Sequence, residues 1–182
     1  TFAAMALRIE SWRWAGVPFV IRAGKALAQT WLEAVVEFRA PPRMMFADAA
    51  VPQPHPNTMR FRLGQGDGVT LNLQAKRPGR ELATRSVGMS VDFDDALGER
   101  RDAYERLIDD VLDGEARRFA RTDTVAEAWR IVQPALDHPS PIHPYAPGSW
   151  GPAEADEIVS RHHWYAPSDA ERASSPVRPG RS

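Results

Sequence analysis

The sequence predicts an α+β fold: a large, mainly antiparallel sheet with helices packed on one face. Three observations lead there. Apolar and polar residues alternate through most of the first two thirds of the chain, the apolar period becomes helical after Arg101, and the gaps between alternating segments are too short for crossover helices.

The first strand sets Met5, Leu7 and Ile9 against Ala6, Arg8 and Glu10. A second begins with Gly16-Val17-Pro18-Phe19 and ends at Arg22-Ala23-Gly24-Lys25. Leu32, Ala34, Val36 and Phe38 then alternate with Glu33, Val35, Glu37 and Arg39. The same period recurs at Met59, Phe61 and Leu63, at Val69, Leu71 and Leu73, and at Met89, Val91 and Phe93, so one face of the sheet is expected to be wet. Gly64-Gln65-Gly66-Asp67-Gly68 reads as a hairpin turn, because it joins two strands and lacks GxGxxG spacing.

Past Arg101, Tyr104, Leu107, Ile108, Val111 and Leu112 form one apolar stripe of a helix that Gly114 ends. A second helix is expected to open on a capping box, Thr124 with Glu127, to turn Val125, Ala128, Trp129 and Val132 inward and to stop at Pro134. Five prolines fall between Pro41 and Pro56 and six between Pro134 and Pro152, so the long helices are confined to the proline-free stretch from Gly79 to Gln133. Pro139 to Pro152 reads as an extended arm, and Pro152 to His162 as a short helix. Beyond Tyr165 there is almost nothing to bury, which predicts one domain over residues 1–165 and a disordered tail over 166–182.

Composition removes several functions. With 43% apolar residues in 182, a single core is feasible; the absence of cysteine excludes disulfide scaffolds and thiolate zinc sites and is compatible with a cytoplasmic location. Lys and Arg total 23 against 24 Asp and Glu, no excess for a nucleic-acid binder. The longest stretch free of polar side chains, Ala15 to Ile21, falls far short of the roughly 20 residues of a membrane helix.

Among candidate sites, Ala23-Gly24-Lys25-Ala26 fails as a phosphate loop, since Phe19 and Ala26 stand where a glycine and a hydroxyl belong. What remains is Arg22-Ala23-Gly24-Lys25: either a solvated lysine in a turn, or an ammonium presented to an anion. His55, His138, His143, His162 and His163 lack metal-ligand spacing. The pairs Asp94-Asp95 and Asp109-Asp110 are neighbours that do not share a helix face. Lys76-Arg77-Pro78-Gly79-Arg80 and Arg117-Arg118 with Arg121 are the basic clusters; Arg118 and Arg121 are read as lying near a helix C-terminus, where cations are favoured anyway. No catalytic or metal-binding residue follows from these patterns.

Six strings in order resemble one family. They are Trp12-Arg13-Trp14-Ala15-Gly16-Val17-Pro18-Phe19; Ile21-Arg22-Ala23-Gly24-Lys25-Ala26-Leu27; Lys76-Arg77-Pro78-Gly79; Asp102-Ala103-Tyr104-Glu105-Arg106-Leu107-Ile108; Glu127-Ala128-Trp129-Arg130-Ile131; and the run from Tyr145 to Asp156. Together they resemble the C-terminal domain of the glucose-6-phosphate dehydrogenase family. That resemblance implies a β+α domain behind a Rossmann coenzyme domain, association into a homo-oligomer through the sheet, and oxidation of glucose 6-phosphate at C1 by a histidine base and NADP. The coenzyme domain, the histidine and the adjacent substrate lysine are not in this sequence, so this chain alone is not expected to turn over. The alternative is a non-catalytic paralogue that associates with a complete dehydrogenase.

The resemblance also assigns Lys25 to the sugar phosphate. It places Thr30 where a second basic residue is common, and Gly64 where a polar side chain is lost. A second, structural NADP of some members is expected to be absent: Arg22, Arg62 and Asp92 are kept, but Trp31, Val35, Thr70, Asn72 and Trp150 replace cations or a tyrosine.

Overall fold

The computed structural model describes residues 1–42, 55–64, 66–80, 83–98, 101–159 and 162–167. In chain order the elements are β1 (Phe2–Leu7), β2 (Phe19–Gly24), β3 (Glu33–Glu37), β4 (Thr58–Arg62), β5 (Gly68–Lys76), β6 (Thr84–Asp92), α1 (Phe93–Leu97), α2 (Ala103–Leu112) and α3 (Thr122–Asp137), with 3₁₀ turns at Trp12–Trp14 and Ala153–Val159. The fold is α+β with every strand pair antiparallel, as the alternation predicts. The strands form two sheets rather than one large one, β1-β2 and β3-β4-β5-β6. β2 ends at Gly24 because the Lys25 amide turns to the Thr1 carbonyl and Ala26 takes a left-handed φ of 52°, which no strand continues through.

The chain divides into two compact units. One comprises Thr1–Gln29 and Arg100–His163, the other Thr30–Glu99 and Trp164–Ser182. In the first, β1 runs against β2 with Phe2 opposite Gly24 and Leu7 opposite Phe19. The 3₁₀ turn Ala153–Val159, which stands where a short helix is expected, packs on β1 and contributes Ala155 and Val159, both buried.

Both long helices belong to this unit. Asp102 caps α2 by accepting the Tyr104 and Glu105 amides at 2.8 and 3.4 Å. α3 departs from expectation at both ends. It starts at Thr122 with no side-chain cap, because Asp123 takes the Thr124 amide while Glu127 turns outward to Arg130 at 2.8 and 2.5 Å. Pro134 lies inside the helix: its missing N–H strands only the Arg130 carbonyl, at an exposed position where solvent has access. The apolar stripes have the helical period but are not buried; Ile108 and Trp129 are each 60% exposed. Among the described residues no helix is long and apolar enough to cross a membrane.

In the second unit the register aligns Val36, Met59, Leu71 and Met89 in one row, and Val35, Arg60, Thr70 and Ser90 in the next, on the opposite face. The apolar row opens to solvent at both edges, Val36 at 45% and Met89 at 54%, whereas Arg60 is 8% exposed. The apolar face is thus wet at its edges. The polar face is covered around Arg60 and Glu37 by the segment 164–167, while its β6 residues Ser86, Gly88 and Ser90 are exposed. Arg60 makes a bidentate pair with Glu33 at 2.6 and 2.9 Å and donates to the Ala166 carbonyl at 2.8 Å. Tyr165 donates its hydroxyl to Glu37 at 2.6 Å and lays its ring 5.9 Å from the Arg60 guanidinium, and Pro167 is buried. Burial and the Glu37 carboxylate hold the Tyr165 hydroxyl well above its ordinary range. The rest of the expected tail, from residue 168, lies outside the described residues. β6 ends at Asp92, two residues before its expected end, because Asp92 caps α1 by accepting the Asp94 amide at 3.1 Å.

Truncating one partner of a buried ion pair leaves the other charge desolvated. Arg60→Ala is expected to destabilise the chain by about 3 kcal/mol, measured as a shifted urea midpoint at constant slope. Arg130→Ala, which breaks an exposed and solvent-screened pair, is expected to leave the urea midpoint nearly unchanged.

Candidate functional site

The corner that follows β2 is assembled from three parts of the chain. Gly24 is required sterically: an added Cβ would lie 2.9 Å from Phe2 Cδ2 and 3.0 Å from Leu27 Cδ2. The Phe2 ring is also pressed against Gly151, whose φ of 109° suits glycine, and it meets the Tyr145 ring at 5.6 Å. Around this ring the corner is stitched by hydrogen bonds. The Lys25 amide donates to the Thr1 carbonyl at 2.9 Å, the Gly148 amide to the Ala26 carbonyl at 2.8 Å, and the Ala28 amide to the Ser149 carbonyl at 2.9 Å. Tyr145 reaches the Lys25 carbonyl with its hydroxyl at 2.6 Å. The Lys25 side chain itself is exposed at the end of the strand.

Arg22 stands three residues earlier, with its guanidinium 4.9 Å from the centre of the Trp150 ring. Burial lowers its pKa from the ordinary value and the Asp156 carboxylate opposes that shift. The corner therefore carries an exposed ammonium that can donate charge-assisted hydrogen bonds to a phosphate monoester, while the half-buried Arg22 guanidinium is engaged by the Trp150 indole.

The remaining candidates fall elsewhere. Arg62 meets Asp92 at 3.4 Å in the second unit, on the sheet face that also carries Val35, Thr70 and Asn72; Arg22 and Trp150 lie in the first unit. Arg118 pairs with Asp110, Arg117 with Glu115 at 2.7 Å and Arg121 with Asp123 at 2.7 Å, so the basic cluster is neutralised residue by residue. Arg121 is the N-cap of α3, not a residue near a helix C-terminus as the sequence suggests. Lys76 turns its ammonium into its own loop, donating to the Arg77 and Gly79 carbonyls at 3.0 and 2.7 Å. Asp109 goes to Arg101, so the paired carboxylates serve arginines and not each other. His143 lies 3.1 Å from Glu154, and among the described residues no cluster of His, Asp and Glu is placed to hold a metal ion.

Periodicity alone missed Phe2, Tyr145 and Gly151. The one available signal was Tyr145 and Gly151 within a single run of family-like sequence, which says nothing of their contact with a corner over a hundred residues upstream.

Comparison with known proteins shows which family the chain belongs to. Residues 1–165 match the family described as Glucose-6-phosphate dehydrogenase, C-terminal domain. The chain is 36% identical over 174 residues to glucose-6-phosphate 1-dehydrogenase of Aggregatibacter actinomycetemcomitans, covering 92% of this chain and 34% of that protein. It is 37% identical over 168 residues to glucose-6-phosphate 1-dehydrogenase 1 of Mycobacterium tuberculosis, covering 92% and 35%. The crystal structure of glucose-6-phosphate 1-dehydrogenase from Mycobacterium avium superposes with a TM-score of 0.77 at 37% identity, covering 92% of this chain and 35% of that one. A glucose-6-phosphate dehydrogenase in complex with its substrate glucose-6-phosphate gives 0.74 at 29% identity, covering 91% and 35%. The chain thus spans about a third of the length of the curated relatives it matches.

A side chain at position 151 would collide with the Phe2 ring and adopt a φ that disfavours it. Gly151→Ala is expected to cost about 2 kcal/mol or more, seen as a lowered thermal midpoint, whereas Gly148→Ala meets nothing within 4 Å and is expected to cost less despite its φ of 80°.

Proposed function

Because the chain belongs to the glucose-6-phosphate dehydrogenase family, as its C-terminal domain, we propose that it is the sugar-phosphate-binding and oligomerisation part of such an enzyme. The reaction would be oxidation of glucose 6-phosphate to 6-phosphogluconolactone with NADP, in the pentose phosphate pathway of the cytoplasm. The observation that carries the reading is the exposed Lys25 ammonium on a corner whose backbone is held by hydrogen bonds. A phosphate dianion there would accept charge-assisted hydrogen bonds, stronger than neutral ones and aimed from a fixed backbone.

NADP, when bound, accepts the hydride. The residues of this chain do not fit it: among those described, no strand leads through a glycine loop into a helix N-terminus, the arrangement that cradles a dinucleotide pyrophosphate. Coenzyme binding, proton removal and hydride transfer are therefore assigned in this proposal to the part of a longer protein that the relatives possess. The contribution of this chain is to hold the phosphate end of the sugar.

A second reading has two observations in its favour. Thr30 supplies no charge and Gly64 no side chain where the family commonly has a basic and a polar residue, and the apolar row of the four-stranded sheet stays open at both edges. That pattern suits a non-catalytic paralogue whose sheet associates with a complete dehydrogenase.

Calorimetric titration separates the two. Glucose 6-phosphate is expected to bind the folded chain, glucose not, and Lys25→Ala to weaken binding about 10- to 100-fold, the range of a charged hydrogen bond. A folded chain that binds neither sugar favours the paralogue. Association through the sheet predicts a scattering mass in multiples of 20.3 kDa that Met89→Lys reduces; a wild-type monomer at all concentrations overturns it.

A further inference from the structure

We propose that Tyr145 is a positioning residue for Lys25, fixing the direction in which the lysine leaves the backbone and so its affinity for a sugar phosphate. The proposal rests on the reading of Lys25 as the phosphate contact. A phenol has one proton to give. The Tyr145 oxygen lies 2.6 Å from the Lys25 carbonyl and 3.2 Å from the Thr1 carbonyl, so the proton goes to Lys25. The Thr1 carbonyl is already taken by the Lys25 amide at 2.9 Å. Both main-chain polar groups of Lys25 are thereby engaged, its N–H by the strand opposite and its C=O by Tyr145.

Two fixed peptide planes fix the Cα–Cβ bond between them. That matters for a lysine because its four-carbon stem already loses much rotamer freedom on meeting a ligand, and a fixed root spares the further cost of ordering the backbone that carries it. The next residue needs help as well: Ala26 stands at a φ of 52°, where a Cβ is disfavoured, and persists only if its neighbours hold it.

Residues 25–28 are also tied to the segment 145–151 by main-chain bonds, from Gly148 to Ala26 and from Ala28 to Ser149, which many sequences could make. Tyr145 is the side chain of that segment that bonds to Lys25 itself, and its hydroxyl is aimed by the ring contact with Phe2 at 5.6 Å and 59°. The Phe2 ring is in turn set against Gly24 and Gly151. Tyr145→Phe keeps that ring contact and removes only the hydroxyl.

The test is a double-mutant cycle on the full 182-residue chain, with glucose 6-phosphate as ligand and glucose as control, beside amide hydrogen exchange at Lys25 and Ala28. Tyr145→Phe is expected to weaken glucose 6-phosphate binding about 3- to 10-fold, to leave the thermal midpoint nearly unchanged, to speed exchange at both amides, and to have no further effect on binding once Lys25 is alanine. Unchanged binding by Tyr145→Phe, when Lys25→Ala does weaken it, overturns the proposal and leaves the reading of Lys25 standing. An equal loss in the Lys25→Ala background also overturns it, since the effect then passes through the fold and not through the lysine. If the wild-type chain binds no glucose 6-phosphate, the reading of Lys25 fails by itself and the exchange arm alone decides on Tyr145. Unaltered exchange then overturns the positioning role.

Discussion

Ala155 and Val159 are the buried hydrophobic residues among those described, apart from Pro167, and that scarcity governs everything else in the molecule. A chain with 43% apolar residues has material for a core, yet its apolar stripes and rows lie open. Organisation passes to the main chain: six paired residues between β1 and β2, and a ladder of nine pairs between β5 and β6. Ladders define register well but supply little net stability in water, because each bond replaces one to solvent. The elements therefore depend on a few polar and aromatic closures and on whatever covers the open apolar row.

Each unit uses the same kind of closure. A tyrosine from late in the chain gives its hydroxyl to an acceptor near an early strand: Tyr145 to the Lys25 carbonyl and Tyr165 to the Glu37 carboxylate, both at 2.6 Å. In the second unit this accompanies a buried guanidinium, which is tolerable only because Glu33 and the Ala166 carbonyl meet it with good geometry. In the first it accompanies a ring wedged against two glycines. An exposed functional cation can be precise only where its backbone is rigid, and the wedge supplies the rigidity without touching the ammonium.

Much of this was legible in the sequence. Alternation located β3, β4 and β5 to within a residue or two, and the stripe from Tyr104 to Leu112 located α2, because local periodicity reports the local backbone. The α3 start is not legible because the helix begins at Thr122 with Arg121 as an N-cap that makes no side-chain bond, while Asp123 takes the amide of Thr124, the residue that reads as the cap. Pro134 was over-read as a stop, since at an exposed last turn the lost bond costs little. Burial was not legible at all: which face is covered depends on what packs there, and Tyr165 covering Arg60 is a contact across more than a hundred residues. Lys25 stands out in the sequence as a cation at a glycine turn, but its assignment to a sugar phosphate comes only through family-like strings, because an exposed lysine in a turn has no periodic signature.

The unit holding Lys25 is discontinuous in sequence, made of its first 29 residues and a block that resumes at Arg100. During synthesis the strand hairpin β1-β2 emerges well ahead of the partners that brace its far end, Tyr145 to Gly151, which follow some 120 residues later. At ordinary elongation rates that is a wait of roughly 6 to 24 seconds, long compared with hairpin formation in microseconds. The intervening segment contains β3 to β6, whose neighbours in sequence are neighbours in the sheet and whose closure entropy is low. The inserted sheet can thus form while the unit that flanks it in sequence is still incomplete, and the lysine corner is among the last features to acquire its shape.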